Sequence, residues 1–185
     1  MKRSQFLAAM GGIGIAGVAA VAAGPAPGFR GKRAKTEYTH EVGAAPEAVF
    51  PLLCPVREYE WVEGWSCEMI FSESGVAEEN CIFRTGGAPH GLSTWCCTRY
   101  EPPARIEFVV VSAAMVTRLG ITLERTAAGT RLHWVRLCTG LSEEGNAHAG
   151  DYTVERARAL GEQLNYFLRT GKMLRATAIS LSRKS

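Results

Sequence analysis

Six short strand-like runs between residues 66 and 140 constrain the fold of this chain more than any other feature of its sequence. Each run is rich in β-branched and aromatic residues, and turn-forming residues separate it from the next one. The connections are short, whereas a parallel return would need a long crossover, so neighbouring runs must pair antiparallel. The predicted meander consists of SCEMIFS, NCIFRT, STWCCTRY, RIEFVVV, MVTRLGITLER and TRLHWVRLCTG.

Other regular segments flank the meander on both sides. The alternating run at 35–42 predicts a strand, Pro46 opens a short helix, and Pro55 and Gly64 bound a second short helix. After the meander, Ser142 is the expected N-cap of a helical region of about thirty residues. The apolar stripe of that region is Val154, Ala157, Leu160, Gly161, Leu164, Phe167, Leu168 and Gly171. The order predicts an α+β fold in which this stripe packs on the sheet.

This order of a strand, two short helices, six antiparallel strands and a long terminal helix resembles the helix-grip fold of the START-like, or SRPBCC, superfamily over residues 36–174. The resemblance rests on AAPEAVFPLLCPVREYEWVEGW after the first strand, GLSEEGN before the last helix and LNYFLRTGKML at its end. It implies a curved antiparallel sheet wrapped around the C-terminal helix, with an apolar ligand between them. It implies a pocket and not a reaction, because the superfamily includes lipid carriers, hormone receptors and cyclases.

The N-terminal segment has a composition unlike that of the rest of the chain. Lys2 and Arg3 precede an uncharged run from Phe6 to Ala23, which predicts a cleaved export signal; an uncleaved membrane anchor is the alternative. Under either interpretation the domain would lie outside the cytosol, in the periplasm or the extracellular space. An anchor would also associate it with a membrane. The expected divisions are an export signal or anchor with its linker at 1–34, the ligand-binding domain at 35–177 and a tail at 178–185.

Charge and metal-ligand spacing argue against two classes of partner. The net charge is only +3, and much of it lies near the two ends of the chain, so no basic stripe suits nucleic acid. The cysteines and histidines show neither C-x-x-C nor H-x-x-x-H spacing. We therefore expect no nucleic-acid partner, no metal and no other cofactor.

The six cysteines are open to two interpretations. A hairpin centred on GGAPHG would place Cys81 opposite Cys96 or Cys97, where a cross-strand disulfide could form in an oxidising compartment. The alternative is that they are small apolar strand residues, since free cysteine is among the most buried residue types. We favour free cysteines.

Two tryptophans, Trp61 and Trp65, stand four residues apart at the entry to the meander and are candidates for a cavity rim. Packing in the core is the alternative interpretation of both. Their charged neighbours are assigned to the solvent-facing side of the same helix: Arg57, Glu58, Glu60 and Glu63.

The turn TAAG predicts the register of the last two meander strands. If Glu124 stands opposite Arg131, one face carries Leu119 and Ile121 against Trp134 and Arg136. Arg136 would then point inward and could bind an anionic head group; a structural ion pair or a solvated strand end is the alternative. The complete set of predicted ligand-binding residues is Trp61, Trp65, Phe108, Leu119, Ile121, Trp134, Arg136, Tyr152, Leu160, Leu164 and Phe167.

These features predict a domain that binds or carries a hydrophobic small molecule, such as a lipid, fatty acid, quinone or polyketide. A cyclase- or aromatase-like enzyme acting in the same cavity is one alternative, and a protein-interaction module with a closed core is another. The carrier is favoured because few acid–base side chains are expected to point inward. A tyrosine, histidine or glutamate deep in the cavity would favour the enzyme, and Tyr152 and His148 are the residues to inspect.

Overall fold

The computed structural model describes residues 28–86 and 91–175. The predicted export segment, the first part of its linker and the tail lie outside these residues. Among the described helices, none is long and apolar enough to cross a membrane. The strands are β1 (Arg33–Val42), β2 (Glu68–Phe71), β3 (Ile82–Thr85), β4 (Ser93–Glu101), β5 (Arg105–Val111), β6 (Met115–Thr126) and β7 (Gly129–Gly140). The α-helices are α1 (Pro46–Val49), α2 (Glu143–His148) and α3 (Val154–Thr170), and two 3₁₀ turns lie at Phe50–Leu53 and Glu58–Glu60.

The seven strands form one antiparallel sheet in the order β1-β7-β6-β5-β4-β3-β2. Strands β2 to β7 are therefore the predicted meander. The first strand, β1, pairs with β7 along the whole length of β1. The predicted register is confirmed, since Glu124 stands opposite Arg131 and Leu119 opposite Arg136. This α+β arrangement is consistent with a helix-grip fold.

The predicted C-terminal helical region is interrupted. α2 ends at His148, and α3 begins after Thr153, so the expectation of one continuous helix is wrong. Two N-caps account for the break, because Ser142 accepts a hydrogen bond from the Gly145 amide and Thr153 accepts one from the Arg156 amide. Gly171 ends α3 in the left-handed conformation that glycine favours.

Helix α3 packs against β1 at a glycine. Ala157, Gly161 and Leu164 are its buried residues, whereas Val154, at the start of the predicted stripe, is 39% exposed. A Cβ atom on Gly161 would lie 2.5 Å from His40 Nδ1 and 3.0 Å from Tyr38 Cε1, so this position is too close to β1 for a larger residue.

Gly161→Ala should lower the free energy of unfolding by about 1–3 kcal/mol, the usual cost of overpacking, although alanine favours helix. The added methyl group would push the His40 ring, whose Nε2 accepts the Trp134 indole N–H at 3.2 Å. Burial lowers the pKa of His40 to about 4, so its ring is neutral near pH 7 and can accept this bond. Urea unfolding measures the effect.

Gly150→Ala is the matched control, since nothing lies within 4 Å of its Cβ position. Equal stability of the Gly161 variant and the parent would refute this account of the contact.

Candidate functional site: a cavity between sheet and helix

A cavity of about 290 Å³ separates the inner face of the sheet from α3 and the 3₁₀ region. Its volume is close to the lower end of the range of small-molecule sites. The wall is mainly apolar, and three ionisable side chains reach it. The lining residues are Leu53, Pro55, Glu58, Val62, Trp65, Phe83, Trp95, Phe108, Leu119, Ile121, Trp134, Arg136, Tyr152 and Leu160.

An aromatic cluster forms one side of the cavity. Phe83 and Trp95 are stacked with ring centroids 5.2 Å apart, and Phe108 and Trp65 meet Trp95 edge-on at 5.8 and 6.2 Å. The Trp65 indole N–H donates to the Pro55 carbonyl at 2.8 Å, and that of Trp95 donates to Thr85 Oγ1 at 2.9 Å. With both N–H groups satisfied by protein, these rings present apolar surface to the cavity.

Arg136 brings a positive charge to the cavity wall. Its Cζ atom lies 4.3 Å from the centroid of the Tyr152 ring, a cation–π contact. Among the described residues, no carboxylate forms an ion pair with Arg136, and its buried Nε has no hydrogen-bond partner. The structural ion pair with a helix acid, one of the two alternative roles for this arginine, is therefore not formed among these residues. Burial raises the pKa of the Tyr152 phenol, and the nearby Arg136 partly opposes that rise.

Glu58 is the acidic group of the cavity. It begins the second 3₁₀ turn, and its side chain lines the cavity beside Leu53, Pro55 and Trp65. Removal from water raises the pKa of its carboxyl to about 8, so the group is mostly protonated at pH 7. The Glu58 side chain is not completely buried. We assign its remaining accessible surface to the part that faces the cavity.

The expectation that Glu58 faces solvent with its charged neighbours is wrong. Glu60 does face outward and pairs with Arg57, and Glu63 is also exposed. The predicted second short helix is a single 3₁₀ turn, and its side chains therefore point in other directions than α-helical spacing would give them.

Eight of the eleven predicted ligand-binding residues lie on the cavity wall, and whether they bind a ligand stays a prediction. The other three do not line the cavity. Trp61 is 0% exposed and donates its indole N–H to the Leu52 carbonyl at 2.8 Å, so it belongs to the core. Leu164 is fully buried, and Phe167 packs against the same core.

Sequence reasoning missed six lining residues, namely Leu53, Pro55, Glu58, Val62, Phe83 and Trp95. The alternation of NCIFRT and STWCCTRY could have placed Phe83 and Trp95 on one face, because these residues stand opposite each other in the β3–β4 register. No pattern in the sequence marks Glu58 as turned inward.

The cysteines form no disulfide in the structure. Cys81 lies opposite Cys97 at the end of the β3–β4 ladder, and the Cys97 amide donates to the Cys81 carbonyl at 3.1 Å. Both side chains are completely buried, and the hydrogen bond with the Cys81 thiol, together with burial, raises the pKa of Cys97. In the part of the chain that the structure describes, no group of three or more potential metal ligands occurs.

Solved structures from other proteins share this fold at low sequence identity. An uncharacterized protein from Rhizobium leguminosarum is 14% identical, with 76% of this chain and 97% of that chain covered and a TM-score of 0.58. The protein MLL2253 from Mesorhizobium loti is 17% identical, with 74% and 98% covered and a TM-score of 0.59. DynU16, from the dynemicin biosynthetic locus, is 16% identical, with 75% and 48% covered and a TM-score of 0.55.

No curated protein matched this chain in a sequence comparison. The profile of the family described as "Polyketide cyclase / dehydrase and lipid transport" matches residues 33–163, which is most of the sequence. This match and the shared fold agree with the resemblance to the SRPBCC superfamily. The chain therefore belongs to the polyketide cyclase/dehydrase and lipid transport family.

Proposed function

We propose that this protein binds a hydrophobic small molecule in the cavity between the sheet and α3, and that it acts as a binder or carrier. The observation that carries the proposal is the cavity itself, which has an aromatic wall and few polar groups. A lipid, fatty acid, quinone or polyketide-like molecule fits this chemistry. Each 100 Å² of apolar ligand surface buried there contributes about 2.5 kcal/mol before the cost of association.

The open cavity argues against a protein-interaction module with a closed core, because such a module would have this space filled by side chains. Export to the periplasm or the extracellular space stays a prediction from the sequence of residues 1–34. Delivery of a hydrophobic molecule across an aqueous compartment would suit a carrier located there.

Leu160→Trp should weaken the binding of a neutral apolar dye, N-phenyl-1-naphthylamine, by at least tenfold. Leu160 projects from α3 into the cavity, so an indole at this position would occupy the volume that the dye needs. A fluorescence titration measures the affinity, and circular dichroism checks that the variant is folded. Leu141→Trp is the matched control, because Leu141 is 44% exposed and does not line the cavity. The proposal fails if the parent protein does not bind the dye, or if both variants bind it as well as the parent.

A cyclase- or aromatase-like enzyme is the second candidate, and the position of Glu58 favours it. The preference for a carrier depends on few acid–base groups pointing inward, yet Glu58 and Tyr152 both line the cavity. A carboxyl that is protonated at neutral pH can donate a proton to a substrate oxygen, and its conjugate base can accept one from carbon. Arg136 would stabilise an oxyanion that formed nearby.

A further inference from the structure

A second cavity, of about 190 Å³, adjoins the first at the ends of β3 to β6. Trp95 and Arg136 line both cavities, so these two side chains form the boundary that the cavities share. The second cavity differs in chemistry, because four hydroxyl-bearing residues line it: Thr85, Ser93, Ser112 and Thr117. The Ser112 and Thr117 hydroxyls already donate within the protein, to the Met115 carbonyl and to Cys138 Sγ. An apolar compartment and a hydroxyl-rich compartment therefore share one cationic side chain.

Arg136 is held at this junction with its charge uncompensated. Thr36 stands opposite Arg136 on β1, and its hydroxyl donates to the Tyr152 carbonyl at 2.6 Å, which ties the loop before α3 to β1 beside the guanidinium. The Tyr152 ring then covers one face of the guanidinium. Within the described ranges no acid pairs with it, and a partly desolvated cation without a counter-ion is unfavourable. The free energy of the site would improve if an anion entered.

The surroundings suit an oxygen anion. Thr85 Oγ1 accepts the Trp95 indole N–H at 2.9 Å, which leaves the threonine O–H able to donate to a ligand. A guanidinium pairs well with carboxylate and phosphate oxygens because its N–H groups match their geometry. Glu58, which contributes a carboxyl group to the apolar wall, is mostly protonated at neutral pH and would not repel such a ligand strongly.

We infer that the ligand is an amphiphile whose apolar body fills the first cavity and whose oxyanion head, a carboxylate or a phosphate, binds Arg136 and extends into the hydroxyl-lined cavity. This inference rests on the proposed function and narrows it. It excludes neutral hydrophobes such as quinones as the best ligands. Apolar burial selects the hydrophobic body of the ligand, and the charge of Arg136 selects its head group.

Competition with N-phenyl-1-naphthylamine at pH 7 tests the inference with three probes of equal chain length: decanoate, decyl phosphate and decan-1-ol. The parent protein should bind at least one anionic probe at least tenfold more tightly than the alcohol. The comparison of decanoate with decyl phosphate shows which head group is preferred. Arg136→Gln should abolish the preference for the anion while the affinity for decan-1-ol stays within about twofold, and Arg136→Lys should restore part of it. Arg158→Gln is the control, since Arg158 lies exposed on α3.

Each outcome bears on one of the two claims. Binding of the dye and decan-1-ol without a preference for either anion would overturn the head-group inference and leave the proposed function standing. A preference that survives in Arg136→Gln would also overturn it. Absence of binding by the dye and all three probes would overturn both claims.

Discussion

Trp61→Ala should lower the free energy of unfolding by about 3–5 kcal/mol, the usual loss for a large aromatic side chain removed from a core. The Trp61 ring is completely buried, and truncation would leave both a void and an unsatisfied Leu52 carbonyl. Urea unfolding measures the change. Trp61→Phe keeps most of the apolar volume and should lose less stability. It still provides a measurement if Trp61→Ala does not fold.

Trp65→Ala is the matched comparison, four residues further along the chain. Trp65 is partly exposed and lines the cavity, so its removal should cost less stability than that of Trp61 and should weaken the binding of N-phenyl-1-naphthylamine at least severalfold. The assignment of Trp61 to the core and Trp65 to the site would be wrong if the two variants showed the reverse pattern.

Glu58→Gln should remove a loss of stability that the parent protein shows as pH rises. The folded-state pKa of Glu58 is about 8, whereas the ordinary value is 4.5, so folding holds a proton that the unfolded chain releases. The contribution is fully present below about pH 4.5 and disappears as pH rises through about 8, with a slope of at most about 1.4 kcal/mol per pH unit. Between pH 5 and 9, the unfolding free energy of the parent should therefore fall relative to that of the variant.

Glu60→Gln is the control for this titration. Its hydrogen bond to Arg57 lowers the pKa of the exposed Glu60 carboxyl, so its contribution is present above the unfolded pKa and is lost only in acid. Between pH 6 and 9, the Glu60 variant should therefore run parallel to the parent. Parallel curves for the Glu58 variant as well would contradict a protonated carboxyl in the cavity and would remove the main support for the enzyme candidate.

The meander strands could be predicted from the sequence because the residue patterns that specify them are local. Alternation and turn residues set the strands of the meander, and the TAAG turn alone set the register that brings Leu119 opposite Arg136. This register places Arg136, Ile121 and Trp134 on one face of the sheet, as the sequence predicts. The pairing of β1 with β7 joins distant parts of the chain, and no local pattern in the sequence predicts it.

The 3₁₀ region could not be predicted in the same way. Helical spacing put Trp61 and Trp65 on one face, but the short turn at Glu58–Glu60 buries Trp61, places Trp65 on the wall and turns Glu58 inward. Which way such a turn faces depends on tertiary packing and not on periodicity. Apolar periodicity also does not show the break between α2 and α3, which Thr153 marks as a second N-cap.

A crystal structure of the protein grown with 2-bromonaphthalene would test the central claim most directly, because bromine gives an anomalous signal at a defined position. The account predicts a bromine peak inside the cavity, within van der Waals distance of the side chains of Trp95, Phe108 or Leu119. Refined coordinates in which side chains fill that space, or bromine peaks found only on the outer surface, would contradict it.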